Sequence, residues 1–208
     1  MKLRFKHQKF QADAAKAVVD VFVGQLYLTP SYMMDRGNGC YQQSMNDEEN
    51  FTGWSKFIVV VPSVAIRGGI AKTFQVTQEH FAEEYGKKVR FFIYNSAQLT
   101  EIDRFASDNS LCVMIINSQA FNARGKNARR ISMKLDEFRS RRPIDIIAKT
   151  NPILIIDEPQ SVEGKQTKEN LKQFNPLLTL RYSATHKSDS ILWRRLMPDT
   201  FLSIKRVK

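Results

Sequence analysis

The sequence is poor in everything that stabilises a protein from outside its own core. Only two cysteines, Cys40 and Cys112, occur in 208 residues, far apart and one of them inside an apolar run. That excludes a disulfide scaffold and points to unpaired thiols in a reducing compartment, the cytoplasm. Apolar runs stop at five or six residues, far below the length of a membrane span, so no membrane partner is expected. The opening "MKLRFKHQKF" has basic residues but no apolar segment behind them, so a secretory leader is not expected. His7, His80 and His186 are scattered with no ligand spacing to either cysteine, which argues against zinc. No internal repeat and no low-complexity tract is present.

What is plentiful is positive charge. Thirty-two Lys and Arg face twenty-one Asp and Glu, a net charge of +11 that suggests a polyanionic partner, nucleic acid ahead of a membrane surface. Between Arg124 and Lys149 nine basic residues stand against three acidic ones, whereas from Asp35 to Thr52 one basic faces four acidic. With 42% hydrophobic residues and 25% charged ones the chain can still fill one globular domain.

Periodicity orders the chain into alternating helices and strands. Residues 7–23 predict a helix, with Phe10, Ala14, Val18 and Val21 on one side and Gly24 as its stop. Residues 29–56 have no sustained period and many turn formers, the pattern of a long loop. "KFIVVVPS" predicts a buried strand ended by Pro62, with a helix soon after that ends at Gly86. Strands are predicted at 89–94, 111–117, "ILII" and "LTLRYSAT", and a short helix at 99–107. "ARRISMKLDEFRSRR" (128–142) predicts a basic amphipathic helix stopped by Pro143, with Ile131, Leu135 and Phe138 on one side. Its Arg129, Arg130, Arg139, Arg141 and Arg142 suit either phosphate tracking or a solvated face. The alternation implies an α/β fold, a parallel sheet with helices on both faces.

In "NPILIIDEPQSVEG" (151–164) an aliphatic strand ends on two carboxylates, Asp157 and Glu158. Such a pair is costly unless it meets solvent or a cation. At the carboxyl end of a parallel strand it suits a metal–nucleotide site, one acid holding Mg²⁺ through water and the other directing the attacking water. A second strand ends in "LRYSATH" (180–186), where Ser183 and Thr185 supply hydroxyls. A "DExx" strand followed by a "SAT" strand is the pairing of motifs II and III of superfamily-two helicases.

The fuller strings "PILIIDEPQSVEG", "NPLLTLRYSATHK", "FIVVVPSVAIRGG" and "FKHQKFQADAAKAV" resemble the Res (restriction and translocation) subunit of type III restriction–modification enzymes. The likeness runs from about Met1 to Lys187 with a break near Gly53. The resemblance implies a RecA-like lobe over 1–187, ATP and Mg²⁺ as cofactors, duplex DNA as substrate and a Mod methyltransferase subunit as partner. It assigns Asp157 to Mg²⁺ through water, Glu158 to water activation and Gln160 to sensing the γ-phosphate. Ser183 and Thr185 would couple hydrolysis to movement, and Gln8 and Gln11 would contact adenine. Pro62, Ser63 and Arg67, with Asn117, Ser118 and Gln119, would face DNA.

Half of that site is missing from the sequence. A triphosphate cradle needs G-x-x-x-x-G-K-[ST]. Gly-Lys occurs at Gly86-Lys87, Gly125-Lys126 and Gly164-Lys165, followed by Lys88, Asn127 and Gln166 rather than Ser or Thr. Phe81, Ala120 and Pro159 stand where the first glycine belongs. In the family the loop falls between segments that are joined here at Gly53-Trp54, which implies an internal deletion. Removing that interior strand should expose unpaired backbone unless the sheet closes up. Gly68 stands where the family has a glutamate. Residues 188–208 form a divergent basic tail, and the second helicase lobe and the nuclease are not recognisable. The expectation is therefore a Res-like fragment inactive by itself. The alternatives are a non-catalytic basic DNA-binding or assembly module, or the product of a decayed reading frame.

Overall fold

The computed structural model of the chain describes residues 9–21, 55–122, 130–159, 164–183 and 201–205. The predicted loop over 29–56 lies almost wholly outside them, as do the Gly53-Trp54 junction and Gln8, Gln160 and Thr185. In chain order the described elements are α1 (Lys9–Val21), β1 (Lys56–Val61), α2 (Val64–Tyr85), β2 (Arg90–Ile93), α3 (Thr100–Ser107) and β3 (Cys112–Asn117). They continue with α4 (Gln119–Asn122), α5 (Pro143–Ala148), β4 (Ile153–Asp157), α6 (Lys165–Lys172), β5 (Leu178–Ser183) and β6 (Phe201–Lys205).

The strands form one sheet in the order β2-β3-β1-β4-β5-β6, with every pairing parallel. Alternate side chains leave a strand on opposite faces, so a strand covered on both sides must be apolar throughout. That is why β1, β3 and β4, the interior strands, read as nearly unbroken aliphatic runs. On one face Ile58, Val60, Met114, Ile116, Leu154 and Ile156 pack with Ile102 and Phe105 of α3, Ile147 of α5 and Leu171 of α6. On the other, Val59, Val61, Val113 and Ile115 meet Ile70, Phe74 and Phe81 of α2, and Ile153, Leu178 and Leu180 meet Val18 of α1. The result is the α/β, RecA-like arrangement expected, with helices on both faces.

The described strands leave no gap in the sheet. β1 follows the Gly53-Trp54 junction directly, yet it is paired to β3 from Lys56↔Cys112 to Val61↔Asn117 and to β4 from Phe57↔Ile153 to Val60↔Ile156. No interior edge is left open among the described strands. Residues from the tail beyond Lys187 contribute β6, which pairs with β5 from Thr179↔Phe201 to Ser183↔Lys205.

The basic helix predicted over 128–142 is not formed. Its described part has two short 3₁₀ turns, Arg130–Ser132 and Asp136–Phe138, then Arg139 and Ser140 at φ 56° and 53°. Two successive left-handed residues break any α-helix. Burial explains the outcome: Ile131 and Phe138 are 0% and 3% exposed, and the turns deliver both to the core. A Leu135↔Arg141 bridge closes the turn, and the helix starts only at Pro143, whose fixed φ suits a first helical position.

Candidate functional site at the carboxyl edge of the sheet

Because all strands are parallel, their carboxyl ends share one edge, where ligands bind in open α/β sheets. β4 ends there on Asp157, opposite Tyr182 of β5, and Ser183 follows as the last residue of β5. The Glu158 amide donates to the Tyr182 carbonyl at 3.0 Å, so the turn after β4 is tied to the strand of the "SAT" motif. Glu158 itself has φ 50°, a left-handed conformation rare for a residue with a side chain. Asp157 and Glu158 are both half-buried, at the boundary between core and solvent.

The neighbouring strands bring the other segments alongside. β1 ends at Val61, one residue past its Val60↔Ile156 pair with β4, and runs into the half-buried Pro62 and Ser63. Ser63 caps α2: its hydroxyl accepts the Ile66 amide at 3.3 Å and its carbonyl accepts the Arg67 amide at 3.1 Å. A cap of this kind is worth roughly 1 kcal/mol, so Ser63 has a structural duty that its motif position did not reveal. Arg67 is half-buried in the first turn of α2, which lacks acidic residues, and the amino end of that helix adds a partial positive charge to the same edge. On the far side of β1, Asn117 is buried at the end of β3. The Ser118 amide donates to the Val61 carbonyl at 2.9 Å, and Gln119 is exposed at the start of α4.

The edge thus gathers Asn117, Ser118, Gln119, Pro62, Ser63, Asp157, Glu158 and Ser183, from strands next to each other in the sheet. Gln11 lies in α1, whose Val18 packs against the β4–β5 face. Gln8, Gln160 and Thr185 fall outside the described residues.

Two features had no separate signal in the sequence. Tyr182, whose carbonyl receives Glu158, is half-buried, and burial raises its phenol above the ordinary range. Behind the edge, α4 and α6 are joined by amides. Asn122 Nδ2 donates to Thr167 Oγ1 at 2.8 Å, and Asn170 Nδ2 donates to Asn122 Oδ1 at 2.8 Å and to the Phe121 carbonyl at 3.1 Å. This latch links the segment after β3 to the segment after β4, residues about which neither periodicity nor spacing says anything.

Among the described residues no three His, Cys, Asp or Glu cluster to hold a metal directly. The edge carboxylates instead fit the weaker demand of Mg²⁺, which keeps most of its waters and takes one or two carboxylates plus phosphate oxygens. The phosphate side does not fit: no glycine-rich loop with its lysine stands anywhere in the sequence. Among the described residues no helix is long and apolar enough to cross a membrane.

The chain is 26% identical to the Res subunit of the type III restriction–modification enzyme EcoP15I of Escherichia coli, over 220 positions covering 94% of the chain. It is 25% identical to the EcoPI Res subunit of Escherichia phage P1, over 221 positions and the same share of the chain. Both matched stretches are longer than the 208-residue chain, so within them the relatives have residues with no counterpart here. No protein-family model matches the chain. It spans 21% of the length of each of these relatives. In sequence the chain is thus similar, over nearly all its own length, to a stretch of the Res subunits of type III restriction–modification enzymes.

Proposed function

We propose that the chain is the remnant of a Res-type motor lobe that engages duplex DNA along the carboxyl edge of its sheet and does not turn over ATP by itself. The observation that carries the reading is the convergence, on one edge, of the acidic strand end and the segments carried over as DNA-facing, in a sequence without a phosphate loop. In this reading Pro62, Ser63, Arg67, Asn117, Ser118 and Gln119 follow the phosphodiester backbone. Asp157 would hold Mg²⁺ through water and Glu158 would orient a water. Gln160 would sense the γ-phosphate, Gln8 and Gln11 would contact adenine, and Ser183 and Thr185 would couple the site to movement. The Mg²⁺, when bound, supplies charge neutralisation for a triphosphate. Without the amide cradle and its lysine the nucleotide has little else to hold it, so no hydrolytic step is assigned to this chain. A Mod subunit is the partner that the family implies.

The second reading is a non-catalytic basic DNA-binding or assembly module, favoured by the net charge of +11. One experiment separates the two. Binding of ATP is measured with and without Mg²⁺ in the chain and in Asp157→Ala, together with duplex affinity across a salt series. The first reading expects weak, Mg²⁺-dependent nucleotide binding that Asp157→Ala abolishes, and salt-sensitive duplex binding. Duplex binding with no nucleotide response favours the second. Tight Mg²⁺-ATP binding with turnover would overturn the expectation of an idle site.

A further inference from the structure

The arginines between 128 and 142 do not act as a row. Arg130 pairs with Glu137, and Arg142 pairs with Asp145 at 2.7 Å. Arg141 is gripped by both oxygens of Asp103 at 3.1 Å and lies 4.5 Å from the centroid of the Phe138 ring. Arg139 alone of these four makes no ion pair among the described residues. Its charge is therefore the one arginine charge of the four left without an acid among the described residues.

The backbone fixes where that exposed side chain leaves the turn. Arg139 and Ser140 both have left-handed φ, which costs a residue with a side chain on the order of 1 kcal/mol each. The surroundings enforce it: Phe138 is buried, the Ser140 amide donates to the Leu135 carbonyl at 2.9 Å, and the Leu135 amide donates to the Arg141 carbonyl at 3.2 Å. Arg139 borders a half-open cavity of about 340 Å³ whose other walls include Leu99, Thr100 and Asp103. Residues 97–100 follow the carboxyl end of β2, so the cavity opens at the same edge of the sheet as Asn117, Ser63 and Asp157, beyond β3. Of the cavity's two acids, Asp103 is neutralised by Arg141 and Glu137 by Arg130, so Arg139 sets its sign.

We infer that Arg139 is a phosphate contact, at which a nucleic-acid strand lying along the carboxyl edge continues past β3 to the cavity between α3 and the 135–141 turn. The inference rests on the proposed DNA binding and extends it beyond the residues assigned to DNA above. An exposed guanidinium beside a concave wall suits a phosphodiester, since its planar fork matches two phosphate oxygens.

The test is the salt dependence of binding to a short labelled duplex, for the chain, Arg139→Gly and Arg104→Ala. Glycine removes the cation and relieves the left-handed backbone, so folding is preserved. Arg104, an exposed arginine of α3 paired with Glu101, controls for the loss of one positive charge. Losing one phosphate contact lowers the slope of log affinity against log salt by about 0.9. That drop is expected in Arg139→Gly and not in Arg104→Ala, with an unchanged melting temperature in both. Equal slopes for the chain and Arg139→Gly, or equal losses in the two variants, overturn the inference and leave the proposed DNA binding standing. Loss of inorganic phosphate binding with the duplex slope unchanged would make the cavity a small-anion site and also overturn it. Failure of the parent chain to bind duplex would remove the proposed function, and this inference with it.

Discussion

The Glu158 amide reaches the Tyr182 carbonyl at 3.0 Å, just past the point where Asp157 and Tyr182 face each other across the β4–β5 pair. The twin acids are therefore not a loose acidic turn. The ladder continues one residue beyond the strand and fixes where the second carboxylate begins, at the cost of a left-handed φ of 50° for Glu158. A residue with a side chain held there is strained, and sites that use a side chain often keep such strain.

The first prediction concerns that strain. Glycine tolerates the left-handed region and alanine does not, although glycine also gains freedom in the unfolded chain. Glu158→Gly should therefore be more stable than Glu158→Ala by roughly 0.5–1 kcal/mol. Urea denaturation of the two variants measures the difference. An alanine variant as stable as the glycine variant would mean that the turn relaxes readily and fixes nothing.

A second prediction tests the latch behind the edge. Asn122 and Asn170 share one hydrogen bond, and each holds a further partner, Thr167 Oγ1 for Asn122 and the Phe121 carbonyl for Asn170. A hydrogen bond of this kind contributes about 1 kcal/mol net. A double-mutant cycle with Asn122→Ala and Asn170→Ala should return a coupling of about 1 kcal/mol. Additive losses in chemical denaturation would show that α4 and α6 are held by apolar contact alone.

Legibility followed burial. Of the five strands read from the sequence, β1, β3 and β4 were the clearest, because a strand covered on both faces has no polar alternation to blur it, and Gly86 ends α2 where the turn chemistry says it should. Gly86 has φ 64°, the left-handed cap that only glycine adopts freely. α6 gave no signal because only Thr167 and Leu171 of its eight residues are buried. The 128–142 stretch misled because Ile131, Leu135 and Phe138 have helical spacing, yet the same spacing also suits two 3₁₀ turns that bury Ile131 and Phe138. Nothing local announced the break, since neither Arg139 nor Ser140 is glycine. The site divided in the same way. Its carboxylates and hydroxyls announce themselves at strand ends, whereas the latch joins residues 48 positions apart and the Arg139 cavity depends on which arginines find acids.

A third prediction concerns acid. At the amino edge of the sheet, Lys56 is buried at the start of β1 and donates to the Ser110 carbonyl at 3.0 Å and to the Asp108 carbonyl. The Asp108 carboxylate accepts the Ser110 amide at 2.9 Å and pairs with Arg90. The Ser110 amide, chiefly, with help from Arg90 and Lys56, holds the Asp108 carboxyl below its ordinary range. A depressed folded-state value means stability that is present above the unfolded value and lost as pH falls through the folded one. Melting temperature should fall from about pH 4 downward, and Asp108→Asn should flatten that limb. An acid limb that is the same in both proteins would remove Asp108 as a cause.

The last prediction lies at alkaline pH and bears on the edge itself. Tyr94 directly follows β2, beside the segment that walls the Arg139 cavity, and is 7% exposed. Burial pushes its phenol up to about 12, opposed in part by the charge of Arg130. An unfolded tyrosine titrates near 10, so between the two values the folded state holds more protons. The stability this contributes is complete below about pH 10 and is lost as pH rises through about 12, on the order of 2 kcal/mol in total. Tyr94→Phe has no phenol to ionise, so its stability should decline less than the parent's across that window. Paired denaturation curves through the range measure it, and phenolate absorbance reports the ionisation directly. If both proteins lose stability in parallel, Tyr94 ionises without opposing the fold, and the carboxyl end of β2 is wetter than its packing indicates.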